Sequence, residues 1–136
     1  MPSKIIIVED SKEILRGVTR ALDEVGYIVV GASDGCEGLE VIRENQDCNL
    51  IISDLNMPRM SGMEMVEKLG EEKLCPEVPK VILTTEFITK DKNSNFLHKK
   101  GKELGVRAWI VKPRDFFDKR NIETFLSIIK DVLDGR

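Results

Sequence analysis

Short apolar segments alternate with amphipathic patterns along the whole chain. Residues 5–8 and 50–52 are entirely apolar, as expected of strands that are covered on both faces of a sheet. Between residues 14 and 25 the apolar positions recur every three or four residues, which predicts a helix that Gly26 ends. The same patterns predict further strands at 27–30, 81–83 and 108–111, and further helices around 38–43, after Ser61, at 95–104 and at 122–133.

Five predicted strands therefore alternate with five predicted helices. This alternation is typical of an α/β fold, a (βα)5 doubly wound sheet of five parallel strands with helices on both faces. The length of 136 residues suits one domain spanning 1–136.

Composition narrows the class of protein. A hydrophobic content of 41% and a charged content of 33% are typical of a soluble globular protein. No apolar run approaches the roughly eighteen residues of a membrane span, and the run at 5–8 is too short for a signal peptide, so we expect a cytoplasmic protein without membrane association. Cys36, Cys48 and Cys75 form no CxxC pair and the chain has one histidine, which favours free thiols over a zinc site.

The net charge of −3 conceals an uneven distribution. Residues 1–89 carry 9 basic and 17 acidic side chains, whereas residues 90–120 carry 10 basic and 4 acidic ones. A basic segment fits a solvated surface, a site for an acidic protein segment, or nucleic acid. Because the whole chain is acidic and has no DNA-binding motif, we expect no nucleic-acid partner.

Polar side chains follow four of the five predicted strands. They are Glu9 and Asp10 after the first strand, Asp54 after the third, Thr84 and Thr85 after the fourth, and Lys112 with Pro113 after the fifth. No reactive side chain directly follows the second predicted strand. In open parallel sheets, ligands bind beyond the carboxyl ends of the strands, where the strand order reverses. We therefore expect these side chains to gather at one edge of the sheet.

Three carboxylates at one edge repel each other unless a cation neutralises them. A site built only from oxygen ligands suits Mg²⁺, with Mn²⁺ as the alternative ion. The Lys112 ammonium and the Thr84 hydroxyl can donate to phosphate oxygens, and a carboxylate can accept a phosphoryl group. Any one acid at a strand end is more often a helix N-cap, but the agreement of these positions predicts metal-assisted phosphorylation of Asp54.

Four motifs carry a family resemblance over essentially the whole chain. They are VEDS at 8–11, SDLNMP at 53–58 with SGM at 61–63, LTTE at 83–86, and WIVKP at 109–113. With these motifs the chain resembles the receiver domain of two-component response regulators, and among them the single-domain chemotaxis members of CheY type. The resemblance implies the flavodoxin/CheY-like form of the fold.

The resemblance also implies roles at the site. Asp54 would receive the phosphoryl group from the phosphohistidine of a histidine kinase, and Thr84 and Lys112 would contact that group. The implied ligands of Mg²⁺ are Glu9, which assists through water, Asp10, Asp54 and the backbone carbonyl of Asn56.

Further positions correspond to the switch of the family. Trp109 stands at the switch aromatic, which turns inward when the protein is phosphorylated. Asn56 and Glu86 flank the site, where the family tunes the lifetime of the phosphoryl group, and the bulk of Thr85 would restrict access to that group. The bond between Lys112 and Pro113 is expected to be cis. Residues 91–95 are expected to form an extended loop before the fourth helix.

The leading hypothesis is a stand-alone receiver without an effector domain, which signals by phosphorylation-dependent protein binding. Its partners would be a CheA-like histidine kinase, an output protein such as a flagellar motor switch protein, and a phosphatase. The alternative is a phosphorelay or cell-cycle receiver. A phosphohydrolase or Toprim-type metal enzyme is disfavoured, because those families need a second acid where this chain has Asn56. The protein would then be no enzyme beyond promoting its own phosphorylation and dephosphorylation.

Overall fold

A computed structural model describes residues 2–84, 99–112 and 118–135. Five parallel strands form one sheet, namely β1 (Lys4–Val8), β2 (Ile28–Ala32), β3 (Leu50–Asp54), β4 (Lys80–Thr84) and β5 (Val106–Val111). The helices are α1 (Lys12–Glu24), α2 (Gly35–Glu44), α3 (Gly62–Glu71), α4, described over residues 99–103, and α5 (Lys119–Leu133). The predicted fold class is confirmed.

The strands lie in the order β2-β1-β3-β4-β5. The chain moves outward in one direction from β1 to β2 and then crosses back to β3, so the order reverses between β1 and β3. A crevice forms at such a reversal, beyond the carboxyl ends of the strands. We call this side of the sheet the carboxyl edge and the opposite side the amino edge.

The core has a layer on each face of the sheet. Successive side chains of a strand point to opposite faces, so Ile5 and Ile7 pack beneath α1 and α5, while Ile6 and Val8 pack beneath α2 and α3. The strands β3 and β4 are buried along their whole length. This burial on both faces explains why the strand segments contain so few polar residues.

Side-chain caps begin the helices where the chain leaves the sheet. Ser11, Asp34, Ser61 and Asp118 are the N-caps of α1, α2, α3 and α5. The capping box of Ser61 and Glu64 that the sequence predicts is present. Gly26 follows the end of α1 with a φ of 96°, a left-handed conformation that glycine adopts without strain.

The element boundaries shift by a few residues from the predicted ones. The second strand is predicted at 27–30 but runs over Ile28–Ala32, because Gly31 and Ala32 continue the pairing with Ile7 and Val8. The helix α2 begins at Gly35 rather than near residue 38, since Asp34 supplies a cap. Pairing across strands and capping are absent from the hydrophobic pattern, so the pattern locates elements better than their ends.

Cys36, Cys48 and Cys75 are free thiols, as expected. No helix among the described residues is long and apolar enough to cross a membrane. The predicted loop at 91–95 and the predicted cis bond before Pro113 lie outside the described residues.

Candidate functional site

Three carboxylates meet at the carboxyl edge. One oxygen each from Glu9, Asp10 and Asp54 lies within 4.8 Å of the others. Glu9 and Asp54 are buried, whereas Asp10 is exposed. The strands β1 and β3 are neighbours with Val8 opposite Ser53, and this register brings the residues that follow them side by side. The acidic cluster predicted from the strand ends is present.

The backbone of Asp54 is fixed from two sides. Leu55 N–H donates to the Leu83 carbonyl at 2.9 Å, which ties the end of β3 to β4. On the other side Gly62, the first residue of α3, lies so close that an added Cβ would stand 2.3 Å from the Asp54 carbonyl oxygen. Only glycine fits there, because no real Cβ approaches an oxygen so closely. In the sequence Gly62 is distinguished only as part of the SGM motif, and its one local signal is its place directly after the Ser61 cap.

Lys112 reaches across the edge to two of the acids. Its Nζ lies 2.9 Å from Asp54 Oδ2 and 3.1 Å from Glu9 Oε2, and the side chain is 18% exposed. Desolvation is the largest single influence on the pKa of Lys112 and lowers it. The hydrogen bond to Asp54 and the charges of Glu9 and Asp54 together outweigh desolvation, so the pKa of Lys112 is raised. The lysine is therefore a fixed positive charge beside Asp54.

Glu9 lacks enough partners for its burial. Its Oε1 accepts hydrogen bonds from Ser11 N–H at 3.1 Å and from Lys112 Nζ at 3.2 Å. Its Oε2 lies 3.1 Å from Lys112 Nζ as an ion-pair contact but accepts no hydrogen bond from the described residues. Burial first, and then the charge of Asp54, raises the pKa of Glu9 to about 7. A buried carboxylate oxygen without a hydrogen bond is costly, so this site accommodates a further positive group.

Asp54 shows the same excess of negative charge. Burial raises its pKa, the hydrogen bond and charge of Lys112 oppose that rise, and the neighbouring Asp10 adds to it. One lysine thus fails to neutralise three acids. A divalent cation with oxygen ligands fits the remaining charge, with Asp10 on the solvent side as its point of entry.

Thr84 lies on β4, the strand beside that of Asp54, and Trp109 lies on β5, one strand further out. Thr84 ends β4, is 1% exposed, and accepts a hydrogen bond from Lys112 N–H on its backbone carbonyl at 2.8 Å. Trp109 of β5 lies opposite Ile82 of β4 and is half-buried. The ring of Trp109 rests against α4, where an added Cβ on Gly101 would stand 2.9 Å from Trp109 Cζ2.

Asn56 is exposed two residues beyond Asp54, at the mouth of the site. The remaining predicted positions, Thr85, Glu86 and Pro113, lie outside the described residues.

The sequence prediction missed one acid at the carboxyl edge. Asp34 follows β2, the strand that was expected to deliver nothing reactive, and it is 7% exposed. Its carboxylate accepts from Glu37 N–H at 2.9 Å and forms an ion pair with Arg59, which follows β3. The Glu37 N–H and then the Arg59 guanidinium lower the pKa of Asp34. An aspartate followed by glycine before a helix was the signal that could have identified it.

Known proteins match the chain over nearly its whole length. Residues 5–123 match the family described as Response regulator receiver domain. The Chemotaxis protein CheY homolog of Campylobacter jejuni is 34% identical over 111 residues, which are 81% of each chain.

Two solved structures are similar in fold and sequence. Vibrio cholerae chemotaxis protein CheY4 superposes with a TM-score of 0.80 at 32% identity, covering 97% of this chain and 99% of the other. A receiver domain protein (CheY-like) of Methanospirillum hungatei gives 0.79 at 31% identity, covering 99% and 96%. With the site geometry above, these matches establish that the chain belongs to the response regulator receiver domain family.

Proposed function

We propose that this receiver accepts a phosphoryl group on Asp54 and signals through the change that follows. The observation that carries the proposal is the contact of 2.9 Å between Lys112 Nζ and Asp54 Oδ2, made beside the Glu9 and Asp10 carboxylates. A phosphoryl group on Asp54 would bring new negative charge to a site that already holds a fixed ammonium.

The proposed cation is Mg²⁺, with Mn²⁺ as the alternative. Asp10, Asp54 and the backbone carbonyl of Asn56 would hold it directly, and Glu9 would assist. When bound, the ion would neutralise the carboxylates and the oxygens of the incoming phosphoryl group.

The protein's own residues act by position and charge. An Asp54 carboxylate oxygen forms the new bond to phosphorus while the bond from phosphorus to the donor's histidine nitrogen breaks, which leaves an acyl phosphate. Lys112 keeps its positive charge throughout and pairs with a phosphoryl oxygen. The Thr84 hydroxyl donates to another oxygen. Trp109, on the strand next to that of Thr84, changes its position when Thr84 moves.

Chemotaxis is the proposed pathway. Two similar proteins are named as chemotaxis proteins, in Campylobacter jejuni and Vibrio cholerae. A CheA-like histidine kinase would supply the phosphoryl group, an output protein such as a flagellar motor switch protein would bind the phosphorylated form, and a phosphatase would restore the resting form.

Labelling with acetyl phosphate tests the chemistry. With Mg²⁺, the chain should gain one phosphoryl group by mass spectrometry, and chelation of the metal should prevent the gain. Asp54→Asn should reduce labelling by at least about a hundredfold, since the acceptor oxygen is lost. Asp23→Asn, at an exposed position of α1, is the matched control and should label like the wild type. Equal labelling of the Asp54 variant would disprove the role of Asp54.

A second experiment tests the pathway. Phosphorylated and unphosphorylated protein are each mixed with a flagellar motor switch protein and with a histidine-containing transfer domain. Chemotaxis predicts that only phosphorylated protein binds the switch protein. Transfer of the label to the histidine of the transfer domain, without binding to the switch protein, would contradict chemotaxis and favour the relay alternative.

A further inference from the structure

A buried lysine lies at the amino edge, far from the acidic cluster. Lys80 is the first residue of β4 and is 3% exposed. Lysine is rarely buried without a charged partner. Its Nζ donates to the Cys75 carbonyl at 2.9 Å, and none of the salt bridges among the described residues includes it. An ammonium has three donors, so this hydrogen bond leaves part of it unsatisfied.

The fold already satisfies the carbonyl that Lys80 contacts. Val78 N–H also donates to the Cys75 carbonyl, at 3.1 Å. The Cys75 carbonyl therefore keeps one hydrogen bond when the Lys80 ammonium is removed. Burial lowers the pKa of Lys80, and the nearby charge of Glu77 only partly opposes that fall. One shared carbonyl leaves donors of the ammonium unsatisfied.

A cavity of about 340 Å³ opens beside Lys80, between the ends of α3 and α4. We call it the Lys80 cavity. Its apolar walls come from Val66, Leu69, Leu74 and Leu104. The exposed charged residues Lys73 and Glu103 also line it. This size lies at the lower end of the range for small-molecule sites, and apolar walls with few polar groups are their usual composition.

Gly105 leaves the ammonium open to this cavity. Gly105 lines the cavity, and an added Cβ there would lie 3.6 Å from Lys80 Nζ and from Lys80 Cδ. With no side chain at 105, a ligand atom can occupy that place within reach of the ammonium. The site thus combines a buried positive charge with a hydrocarbon lining.

We propose that the Lys80 cavity binds a small monocarboxylate with a short aliphatic chain. Its carboxylate would accept hydrogen bonds from Lys80 Nζ, and its chain would lie against Leu69, Leu74 and Leu104. A neutral hydrocarbon would leave the ammonium unsatisfied. Inorganic phosphate would leave the leucines without an apolar partner.

Hexanoate is the probe, and hexanol is its uncharged counterpart. Each is titrated into the full chain while the backbone amide signals are followed by NMR. Hexanoate should give a saturable shift at Gly70, Lys80 and Gly105 and bind at least about tenfold more tightly than hexanol. Equal binding of the two would overturn the role of the charge, and this comparison needs no variant.

Two variants test the charge and the space separately. Lys80→Met keeps an unbranched apolar side chain and should weaken hexanoate binding at least about tenfold without weakening hexanol. Gly70→Leu should block both, because a Cβ at 70 meets only Leu104 Cδ2, at 3.8 Å, and the added side chain can enter the cavity. The matched control is Lys68→Met at an exposed position of α3, which should bind like the wild type.

The outcomes that would overturn the proposal are specific. One is a hexanoate affinity that is unchanged in either Lys80→Met or Gly70→Leu, with the fold of each verified by circular dichroism. Another is an inorganic phosphate titration, with metal chelated, that shifts the same signals as strongly as hexanoate does. That result would show that the aliphatic chain does not contribute to binding.

Discussion

The two edges of the sheet each hold a lysine shielded from solvent, Lys112 half-buried and Lys80 buried, and the two lysines have opposite surroundings. Lys112 at the carboxyl edge contacts two carboxylates, and its pKa is raised. Lys80 at the amino edge contacts a backbone carbonyl in an apolar cavity, and its pKa is lowered. Burial penalises the charge of both, so the difference lies in the partners. The first ammonium is part of a charge cluster, whereas the second forms no salt bridge among the described residues.

Replacing Lys112 is expected to give the largest effect on stability. Lys112→Met leaves Glu9 and Asp54 facing each other without their cation, and removing one member of a buried ion pair costs about 3 kcal/mol. Urea unfolding with metal chelated, at pH 8, measures this loss. The loss should shrink below pH 6, where Glu9, with a pKa of about 7, takes up a proton. A variant as stable as the wild type at pH 8 would show that the cluster does not depend on this lysine.

Two glycines of α3 allow the space available at the two edges to be compared. Gly62→Ala should cost about 3 kcal/mol of unfolding free energy, since its Cβ would collide with the Asp54 carbonyl and displace backbone. Gly70→Ala, in the same helix, should instead gain up to about 1 kcal/mol, because alanine favours helix and the space is open. Urea unfolding measures both. Similar losses in the two variants would contradict the close approach of α3 to Asp54.

The pH dependence of the free energy of unfolding should reveal the raised pKa of Glu9. The pKa of Glu9 is 4.5 in the unfolded chain and about 7 in the fold, so between these values the folded state binds more protons. The free energy of unfolding of metal-free protein should therefore fall as pH rises through that window, by on the order of 2 kcal/mol. Glu9→Gln should remove most of this slope, and Glu13→Gln, at an exposed position, should keep it. A slope unchanged in Glu9→Gln would refute the assignment.

Lys80 should give the smallest effect, with the opposite sign to that of Lys112. Lys80→Met is expected to raise the free energy of unfolding at pH 7 by on the order of 1 kcal/mol, because it removes a buried charge while Val78 N–H still satisfies the Cys75 carbonyl. The folded lysine loses its proton at a lower pH than the unfolded one, whose pKa is 10.5. The wild type should therefore gain stability as pH rises towards 10, and the difference should narrow. Destabilisation at pH 7 would show that the ammonium is structurally required.

Much of the carboxyl edge could be predicted from the sequence. Apolar strand segments give the positions of the strand ends, and parallel pairing brings the residues after them to one edge, which is why Glu9, Asp10, Asp54 and Lys112 were all identified. The contribution of Gly62 could not be predicted, because it depends on how closely α3 approaches the carbonyl of Asp54. The pair of Asp34 and Arg59 was missed because neither residue directly follows a predicted strand: the second strand was predicted to end at residue 30 and the third at residue 52.

The amino edge could not be predicted in the same way. Lys80 stands next to the predicted strand at 81–83, where a lysine suggests a solvated strand end, yet it is 3% exposed. Its burial arises from neighbours that are distant in sequence, namely the turn at Cys75 and the glycine at the end of α4.

By itself the sequence determined the fold class, the family and the identity of the acids and the lysine around Asp54. The fold class follows from local periodicity, the family from the resemblance of the four motifs, and the site residues from their places directly after apolar strand segments. Only the tertiary structure decided the charge balance of that cluster and the existence of the Lys80 cavity. Burial, distance and shape arise when segments from distant parts of the chain pack together, and these quantities set the pKa of Glu9 and leave Lys80 beside an open apolar space.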